Sequence, residues 1–501
     1  MKYWDRRHAD LSHTYRRPLL RGVPLPEESF LNPSRDLVNR LWRLCSLLRK
    51  DGITYQQYVV ELAYLLFLKM THESDLNHLL PKKASWSRLT GASAAQTIDV
   101  YKDVLSSLSD AKPSSGLVAR IFDGAGTSIR ESENLAKLIE HIDQIGWFSE
   151  NRDSFGDLYE GILERNAEET KRGAGQYFTP RVLVEAIVDL MQPRAGEIVQ
   201  DPAAGTGGFL ISAAQYARHG AGACTLVGME NVPGTYQLLL MNLFLHGFDA
   251  DGVQLGDTLS DDGRALCPSD VILTNPPFGP AGGRPTRSDL AVTGTVSSFA
   301  PPFVEHCIRS LKPGGRAAVV VPDSVLYEEG RGKALRTFLM KECELHTILR
   351  LPSGIFYAQN VKTNVIFFNR RSDGVGTAYV WYYDLRTDMP AFSKSIPLAQ
   401  RHFDEFTLFY GGRPDGSDRP EDGSSDDNRA RRFSRTEIQS LNDNLDITWL
   451  REDDAVAEHA TEPDEMIAAV AGYLSQALDE VKALAEELDR STQFERRAGS
   501  R

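Results

Sequence analysis

Apolar positions change their period along the chain. Between residues 31 and 153, Leu37, Leu41, Leu44, Leu47 and Leu48 recur at spacings of three and four, the period of an amphipathic helix. Thr54, just after Gly52 and Ile53, is placed to cap a second helix through Leu62, Leu65, Leu66 and Phe67. Strand-like runs are few here, so residues 1–153 are expected to form an all-helical N-terminal domain for docking a partner or DNA. A purely structural cap is an equally good reading of the same pattern. From residue 154 short apolar runs alternate with amphipathic segments. Residues 197–200, 224–228, 252–255, 271–274, 316–321, 345–349 and 364–368 read as strands, and 207–218 and 303–311 as helices between them. That alternation predicts an α/β fold with a doubly wound sheet over residues 154–410. Residues 411–432 are rich in Gly, Ser and Asp and are expected to be a flexible acidic linker or loop. In the last segment, 433–501, Ile467, Val470, Leu474, Ala477, Val481, Leu484 and Leu488 keep the same spacing over three heptads. They predict a C-terminal helical, coiled-coil-like tail that meets a partner.

Length and composition narrow the class. A chain of 501 residues implies several domains. The longest apolar stretch, residues 58–70, is interrupted by Glu61 and Lys69 and is too short to span a bilayer. The first residues lack the apolar segment of a signal peptide. No membrane association is expected. Cys45, Cys224, Cys267, Cys307 and Cys343 form no Cys-x-x-Cys pair, which argues against a zinc site and a disulfide framework. No metal and a cytoplasmic location are therefore expected. The net charge of −13 argues against unaided binding to DNA, which rests on neutralising phosphates.

The candidate chemistry lies where apolar runs end. Residues 270–274 lead into Asn275-Pro276-Pro277-Phe278. Neither proline offers an N–H, so the run cannot extend a sheet ladder and stiffens the chain beyond a strand end. The Asn275 amide and the Pro276 carbonyl can both accept hydrogen bonds from one planar amino group, with Phe278 over the ring that carries it. Adenine N6 is the obvious such group. A tight turn is the competing reading. Upstream, Asp201 opens the turn Pro202-Ala203-Ala204-Gly205-Thr206-Gly207-Gly208, which feeds the next helix. This is neither the G-x-G-x-x-G of a dinucleotide site nor a P-loop, and Asp201 repels a pyrophosphate while tolerating an ammonium or sulfonium. Glu230, 29 residues past Asp201, is placed to accept from both hydroxyls of a ribose. Asp257, after a further strand, can accept from an adenine amino group. Singly each acid can be a solvated loop residue; in series they describe an adenosyl-binding edge, so methyl transfer becomes the favoured chemistry.

These blocks resemble the modification (M) subunit of type I restriction-modification systems, a class of N6-adenine DNA methyltransferases. The resemblance runs through residues 51–55 and 65–70, Gly-Gln-Tyr-Phe-Thr-Pro-Arg at 175–181, the turn at 201–210, Thr-Asn-Pro-Pro-Phe-Gly at 274–279, and 311–323, 354–368, 384–387 and 402–406. It implies a Rossmann-like sheet and S-adenosyl-L-methionine (AdoMet) as methyl donor. It assigns donor contacts to Gln176, Tyr177, Phe178, Thr179, Pro180 and Arg181, to Thr206, Gly207 and Gly208, and to Glu230. The residues themselves suggest only a helix start there, with Pro180 near its first position and Thr179 as its cap. The implied partners are double-stranded DNA, a specificity (S) subunit, a second M subunit and a restriction (R) subunit. Residues 279–300 resemble the family in place rather than in detail, and Arg284 and Arg287 are candidates to touch phosphate there. Related enzymes with Asn-Pro-Pro-aromatic motifs methylate cytosine N4 or protein glutamine. A solitary amino-methyltransferase and a DNA-clamping subunit without catalysis are the other readings.

Overall fold

The computed structural model describes residues 41–43, 52–53, 55–73, 76–110, 116–145, 161–162, 179–220, 222–356, 361–387, 389–390, 392, 396–419 and 429–450. The heptad segment 467–488, the cap at Thr54 and most of the first leucine stripe lie outside these residues.

The N-terminal region is helical, as its periodicity predicts: α1 (Tyr55–Glu73), α2 (Trp86–Thr90), α3 (Thr97–Ser109), α4 (Gly116–Ile121) and α5 (Ser132–Asp143). Leu62, Leu65, Leu66 and Phe67 of α1 are fully buried together with Leu105, Leu108, Leu138 and Ile142. Lys69 is buried too, because two carboxylates and a ring receive it. Its ammonium pairs with Glu73 at 2.5 Å and with Asp143 at 2.8 Å, and lies 5.6 Å from the Trp86 ring centre.

A nine-stranded sheet follows, built from β1 (Ile198–Asp201), β2 (Thr225–Glu230), β3 (Val253–Leu255), β4 (Ser269–Thr274), β5 (Leu311–Pro322), β6 (Glu344–Arg350), β7 (Thr363–Asn369), β8 (Tyr379–Asp384) and β9 (Ala430–Ser434). Its spatial order is β3-β2-β1-β4-β5-β7-β6-β8-β9. The first five strands in that order run parallel, β7 lies antiparallel between β5 and β6, β8 runs parallel to β6 and β9 antiparallel to β8. Alternate side chains enter two separate cores, as a pleated strand requires. Val271, Leu273, Ala318, Val320, Val365, Phe367, Trp381 and Tyr383 share one core with α6 (Arg181–Met191), α7 (Gly208–His219) and α8 (Pro233–Leu245), in which Phe367, Trp381 and Tyr383 meet Phe406, Phe409 and Tyr410 of the helix 404–410. Ile272, Ala317, Val319, Val321, Ile366, Phe368, Val380 and Tyr382 pack under α9 (Ala300–Ser310), α10 (Asp323–Tyr327) and α11 (Arg331–Glu342). The chain leaves β1 toward β2 and β3 and then returns to β4 on the other side of β1. The crevice beyond the carboxyl ends of β1 and β4 is where such sheets bind ligands.

The sheet extends past residue 410. β8 and β9 are two strands that the apolar runs do not reveal, and β9 begins inside the stretch 411–432 read as a flexible linker. Within that stretch Arg419 is buried, donates to the His346 carbonyl at 3.1 Å and lies 4.8 Å from the centre of the Tyr410 ring on α12 (Asp404–Tyr410). Ser434 then caps α13 (Arg435–Ser440): its hydroxyl accepts from the Glu437 amide at 3.2 Å, and the Glu437 carboxylate accepts from the Ser434 amide at 2.7 Å. The described ends of 411–432 are thus part of the fold rather than a free linker.

The helical region is fastened to the sheet through α8. Tyr64 donates to Gln237 at 3.0 Å, Gln237 to the Asp123 carbonyl at 2.7 Å, and Phe67 lies 5.0 Å from Phe244. Arg120 donates to the Tyr236 hydroxyl at 2.6 Å, to the Ala250 carbonyl at 3.2 Å and to the Val253 carbonyl. Among the described residues no helix is long and apolar enough to cross a membrane.

Candidate active site

Four loops leave the carboxyl edge of the sheet and meet near its switch point. β1 ends in Asp201, whose carboxylate is almost wholly buried. Burial pushes its pKa up to about 7, the charge of Glu230 adds to that, and the Thr274 hydroxyl and the Ala203 amide oppose it. The turn beyond it needs its glycines. Gly205 sits at φ +53° with open space where a Cβ would stand. Gly207 sits at φ +92°, and a Cβ there would come 2.5 Å from a Leu239 methyl. Ala204 donates to the Met229 carbonyl at 2.9 Å, and the Asn242 side chain donates to the Thr206 carbonyl at 2.9 Å. Gly208 then opens α7.

β2 ends in Glu230, folded against this turn. Its two carboxylate oxygens accept from the Gly205 amide at 3.0 Å and the Val232 amide at 2.9 Å. Burial raises its pKa, and these backbone donors hold the rise back. Each oxygen keeps a lone pair for a further donor. The loop after β3 joins through Thr258, whose hydroxyl donates to the Pro202 carbonyl at 2.6 Å. Beside it Asp257 is exposed, with one oxygen accepting from the Leu259 amide at 2.9 Å. Asp201, Gly205, Glu230 and Asp257 are therefore gathered at one edge, as their spacing predicts.

The end of β4 is built differently. Asn275 donates from Nδ2 to the Thr179 hydroxyl oxygen at 2.9 Å. Its Oδ1 is buried and accepts no hydrogen bond in the structure. Thr179 is not the helix cap its sequence suggests: Pro180 occupies that position, α6 starts at Arg181, and no side chain caps it. Arg181 pairs along the helix with Glu185 at 2.9 Å. Gln176, Tyr177 and Phe178 lie outside the described residues. Pro276 is buried and Pro277 partly so. Phe278 is also buried, and its ring meets Phe356 edge-on at 6.3 Å, so it stands in an aromatic pair rather than as a lone exposed platform.

The loop 279–300 folds back on itself. Gly279 turns it at φ +84°, its carbonyl accepts from the Phe299 amide at 3.0 Å, and Pro280 bridges to Ser298. Arg284 is exposed, in keeping with a phosphate contact, but Arg287 is not. Arg287 is buried, pairs with Asp289 at 2.6 Å, and donates to the Thr258 carbonyl at 3.0 Å and to His306 Nδ1 at 2.8 Å. It is a brace between loops and corrects the expectation that it meets DNA. The chain of bonds continues inward: His306 Nε2 meets Gln200 Oε1 at 2.8 Å, and Gln200 Nε2 donates to the Cys267 carbonyl at 2.8 Å and to the Ser269 hydroxyl at 2.9 Å. These partners fix a neutral imidazole, accepting at Nδ1 and donating at Nε2. Burial, with the Arg287 charge, brings its pKa down to about 3. Sequence reasoning missed this network and the Phe356 partner.

The strand order, the glycine turn after β1 and the buried carboxylates ending β1 and β2 define a Rossmann-like methyltransferase of the α/β class. The N-6 DNA Methylase family model matches residues 150–458. The chain is 42% identical to the type I restriction enzyme StySJI methylase subunit of Salmonella typhimurium, over 91% of this chain and 96% of that one. The crystal structure of the type I restriction enzyme EcoKI M protein superposes with a TM-score of 0.51 at 37% identity, covering 90% of this chain and 96% of that one. A chain from a structure concerned with complex assembly and conformational transition of the type I R-M system reaches a TM-score of 0.67 at 26% identity, covering 91% and 99%. The chain belongs to the N-6 DNA methylase family, among the methylase subunits of type I restriction enzymes.

Proposed function

We propose that the chain is the modification subunit of a type I restriction-modification complex, moving a methyl group from AdoMet to adenine N6 within a specific DNA sequence in the cytoplasm. The observation that carries this reading is Asn275 Oδ1: a buried acceptor without a donor, at the strand end where the substrate amino group is expected. A buried polar atom left unpaired is costly, so its persistence points to a ligand that pairs it.

The residues on the donor side fit AdoMet. Open space lies over Gly205 and Glu230 keeps lone pairs for ribose hydroxyls; Asp201, whose pKa burial raises to about 7, is a carboxyl whose ionised form a bound cation would favour. The turn 204–208, Glu230, Asp257 and the 176–181 segment would hold AdoMet, which when bound would supply an electrophilic methyl carbon. The chain's own contribution is positioning. The adenine leaves the duplex, since N6 is otherwise paired and stacked, at a cost of about a few kcal/mol. Asn275 Oδ1 and the Pro276 carbonyl accept its two N6 hydrogens, Pro277 stiffens the turn, and Phe278 with Phe356 bounds the aromatic side. Both acceptors draw on the amino hydrogens, so the nitrogen lone pair is freed from the ring and aimed for in-line attack. Charge supports one part of this assembly, since an acidic chain needs a partner to grip DNA; an S subunit that chooses the site, a second M subunit and an R subunit that cuts are what the resemblance to type I systems implies.

The test uses the purified complex carrying Asn275→Ala. Methylation is expected to fall roughly 100- to 1,000-fold, the scale for removing one preorganised hydrogen-bonding group, with AdoMet affinity kept. Near wild-type methylation would overturn the assignment, and mass spectrometry of the product showing N4-methylcytosine would overturn the choice of base.

A further inference from the structure

Arg386 stands outside both the donor turn and the Asn-Pro-Pro-Phe loop, yet it joins three stretches of chain at the same sheet edge. We propose that it is a positioning residue for methyl transfer: it ties both ends of the β6–β7 connection to Asp323 and so sets where Phe356 stands against Phe278. The inference rests on the proposed base pocket at Asn275 and Phe278 and deepens it.

Strand direction brings the three stretches together. β7 runs antiparallel to β5 and β6, and β8 runs parallel to β6. The start of β7 therefore shares an edge with the ends of β5, β6 and β8, the edge at which β4 delivers Asn275. Phe356 stands on the connection from β6 to β7, buried and edge-on to Phe278. The two feet of that connection touch: the Leu351 amide donates to the Thr363 carbonyl at 3.0 Å, and the Asp323 amide to the Lys362 carbonyl at 3.0 Å. Arg386 closes this junction from the end of β8, with its side chain only 5% exposed. Nε donates to the Leu351 carbonyl at 3.2 Å and Nη2 to the Thr363 carbonyl at 3.1 Å. Nη2 and Nη1 also reach the two Asp323 carboxylate oxygens, at 2.6 and 3.2 Å. Asn364 donates to Asp323 Oδ1 at 2.7 Å. The turn that aims Arg386 is itself fixed, because Asp384 Oδ1 accepts from the Arg386 amide at 2.7 Å and the Thr387 amide at 2.9 Å. A guanidinium holds its five N–H groups in a rigid plane, so it can fork a carboxylate and reach two carbonyls at once. An ammonium carries the same charge without that span. None of these partners belongs to the donor side. With the feet untied, Phe356 shifts and the slot beside Phe278 loses its set width.

The experiment uses the full complex with Arg386→Lys, Phe356→Leu and the double variant, alongside Asn275→Ala. Arg386→Lys keeps a cation for Asp323 and removes the fork. Its single-turnover methylation rate at saturating AdoMet and DNA is expected to fall about 10-fold, the scale of one charge-assisted hydrogen bond lost. AdoMet affinity by titration should stay at the wild-type value. Because Arg386 acts through Phe356, the double variant should be no slower than Arg386→Lys alone, rather than slower by the product of the two losses. Asp323→Asn should behave as Arg386→Lys does, and it carries the same test if Arg386→Lys does not assemble. A wild-type rate in Arg386→Lys overturns the inference. So do multiplied losses in the double variant, which would make Arg386 a general brace, and a rate loss matched by a loss of AdoMet affinity, which would tie it to the donor side. A slow Asn275→Ala beside a normal Arg386→Lys fails this inference alone; a normal Asn275→Ala fails the proposed function of Asn275, whatever Arg386 does.

Discussion

The two sides of the site solve one problem in opposite ways. At the ends of β1 and β2 the carboxylates are held by the main chain: Glu230 accepts from the Gly205 and Val232 amides, and Asp201 is closed in beneath the turn. At the end of β4, Asn275 is held by one side chain and leaves its oxygen unpaired. The donor side is thus set by backbone geometry and local sequence. Asn275 depends on a single contact between distant residues, and under the proposed function this is the side at which a base would enter and leave at every turnover.

The largest effect that would sharpen this contrast is at Glu230. Glu230→Ala strips two backbone amides of their acceptor and a ribose of its partner, so the AdoMet Kd is expected to rise roughly 100-fold. Glu230→Gln, keeping one oxygen, should fall between. Unchanged binding in titration calorimetry of Glu230→Ala would break the contrast. Next come the two glycines. Gly207→Ala meets both a left-handed φ and a Leu239 methyl, Gly205→Ala the φ alone. Urea unfolding should show a loss of about 2–3 kcal/mol for the first and about 1 for the second; equal losses would remove the packing argument.

The pH dependence tests the buried groups. His306 is neutral in the fold with a value near 3 against an ordinary 6.5, so its contribution is whole above pH 6.5 and is lost as pH falls toward 3. Asp201, near 7 against an ordinary 3.8, carries a burial penalty above pH 7 that is relieved as pH falls toward 3.8. Each has a limiting slope of about 1.4 kcal/mol per pH unit, of opposite sign. Between pH 6.5 and 4.5, Asp201→Asn should therefore lose stability with acid more steeply than wild type, and His306→Gln less steeply. Parallel curves would mean that neither group titrates as its surroundings dictate. The smallest effect is at the aromatic pair: Phe356→Leu is expected to cost about 1 kcal/mol, with a few-fold loss in methylation, measured by melting and single turnover.

Much of this molecule is legible in its sequence, because strands buried on both faces read as apolar runs. β1, β2 and β4 to β7 announce themselves that way, while β3 is a short, half-exposed edge run; the acids ending β1 and β2 follow directly from their place. β9 does not, since Arg431 and Arg432 are exposed and make a strand look like a loop. Arg287 misleads for the converse reason: in a Gly- and Pro-rich stretch an arginine suggests solvent, yet Asp289, Thr258 and His306 receive it inside. The Thr179–Asn275 bond has no local signal, because it exists only once α6 is laid across the sheet.

The grip of Arg120 on the carbonyls of Ala250 and Val253 bears on how the protein can be divided. β3 is an edge strand, and this guanidinium covers the end of a sheet that would otherwise offer bare acceptors to another chain. Cutting at the change in texture near residue 153 would strip Phe67 from Phe244 and Tyr64 from Gln237 on α8 and uncap that edge in one stroke. The boundary visible in the sequence is one of pattern and not of cohesion: a fragment begun there would be sticky before it was catalytic.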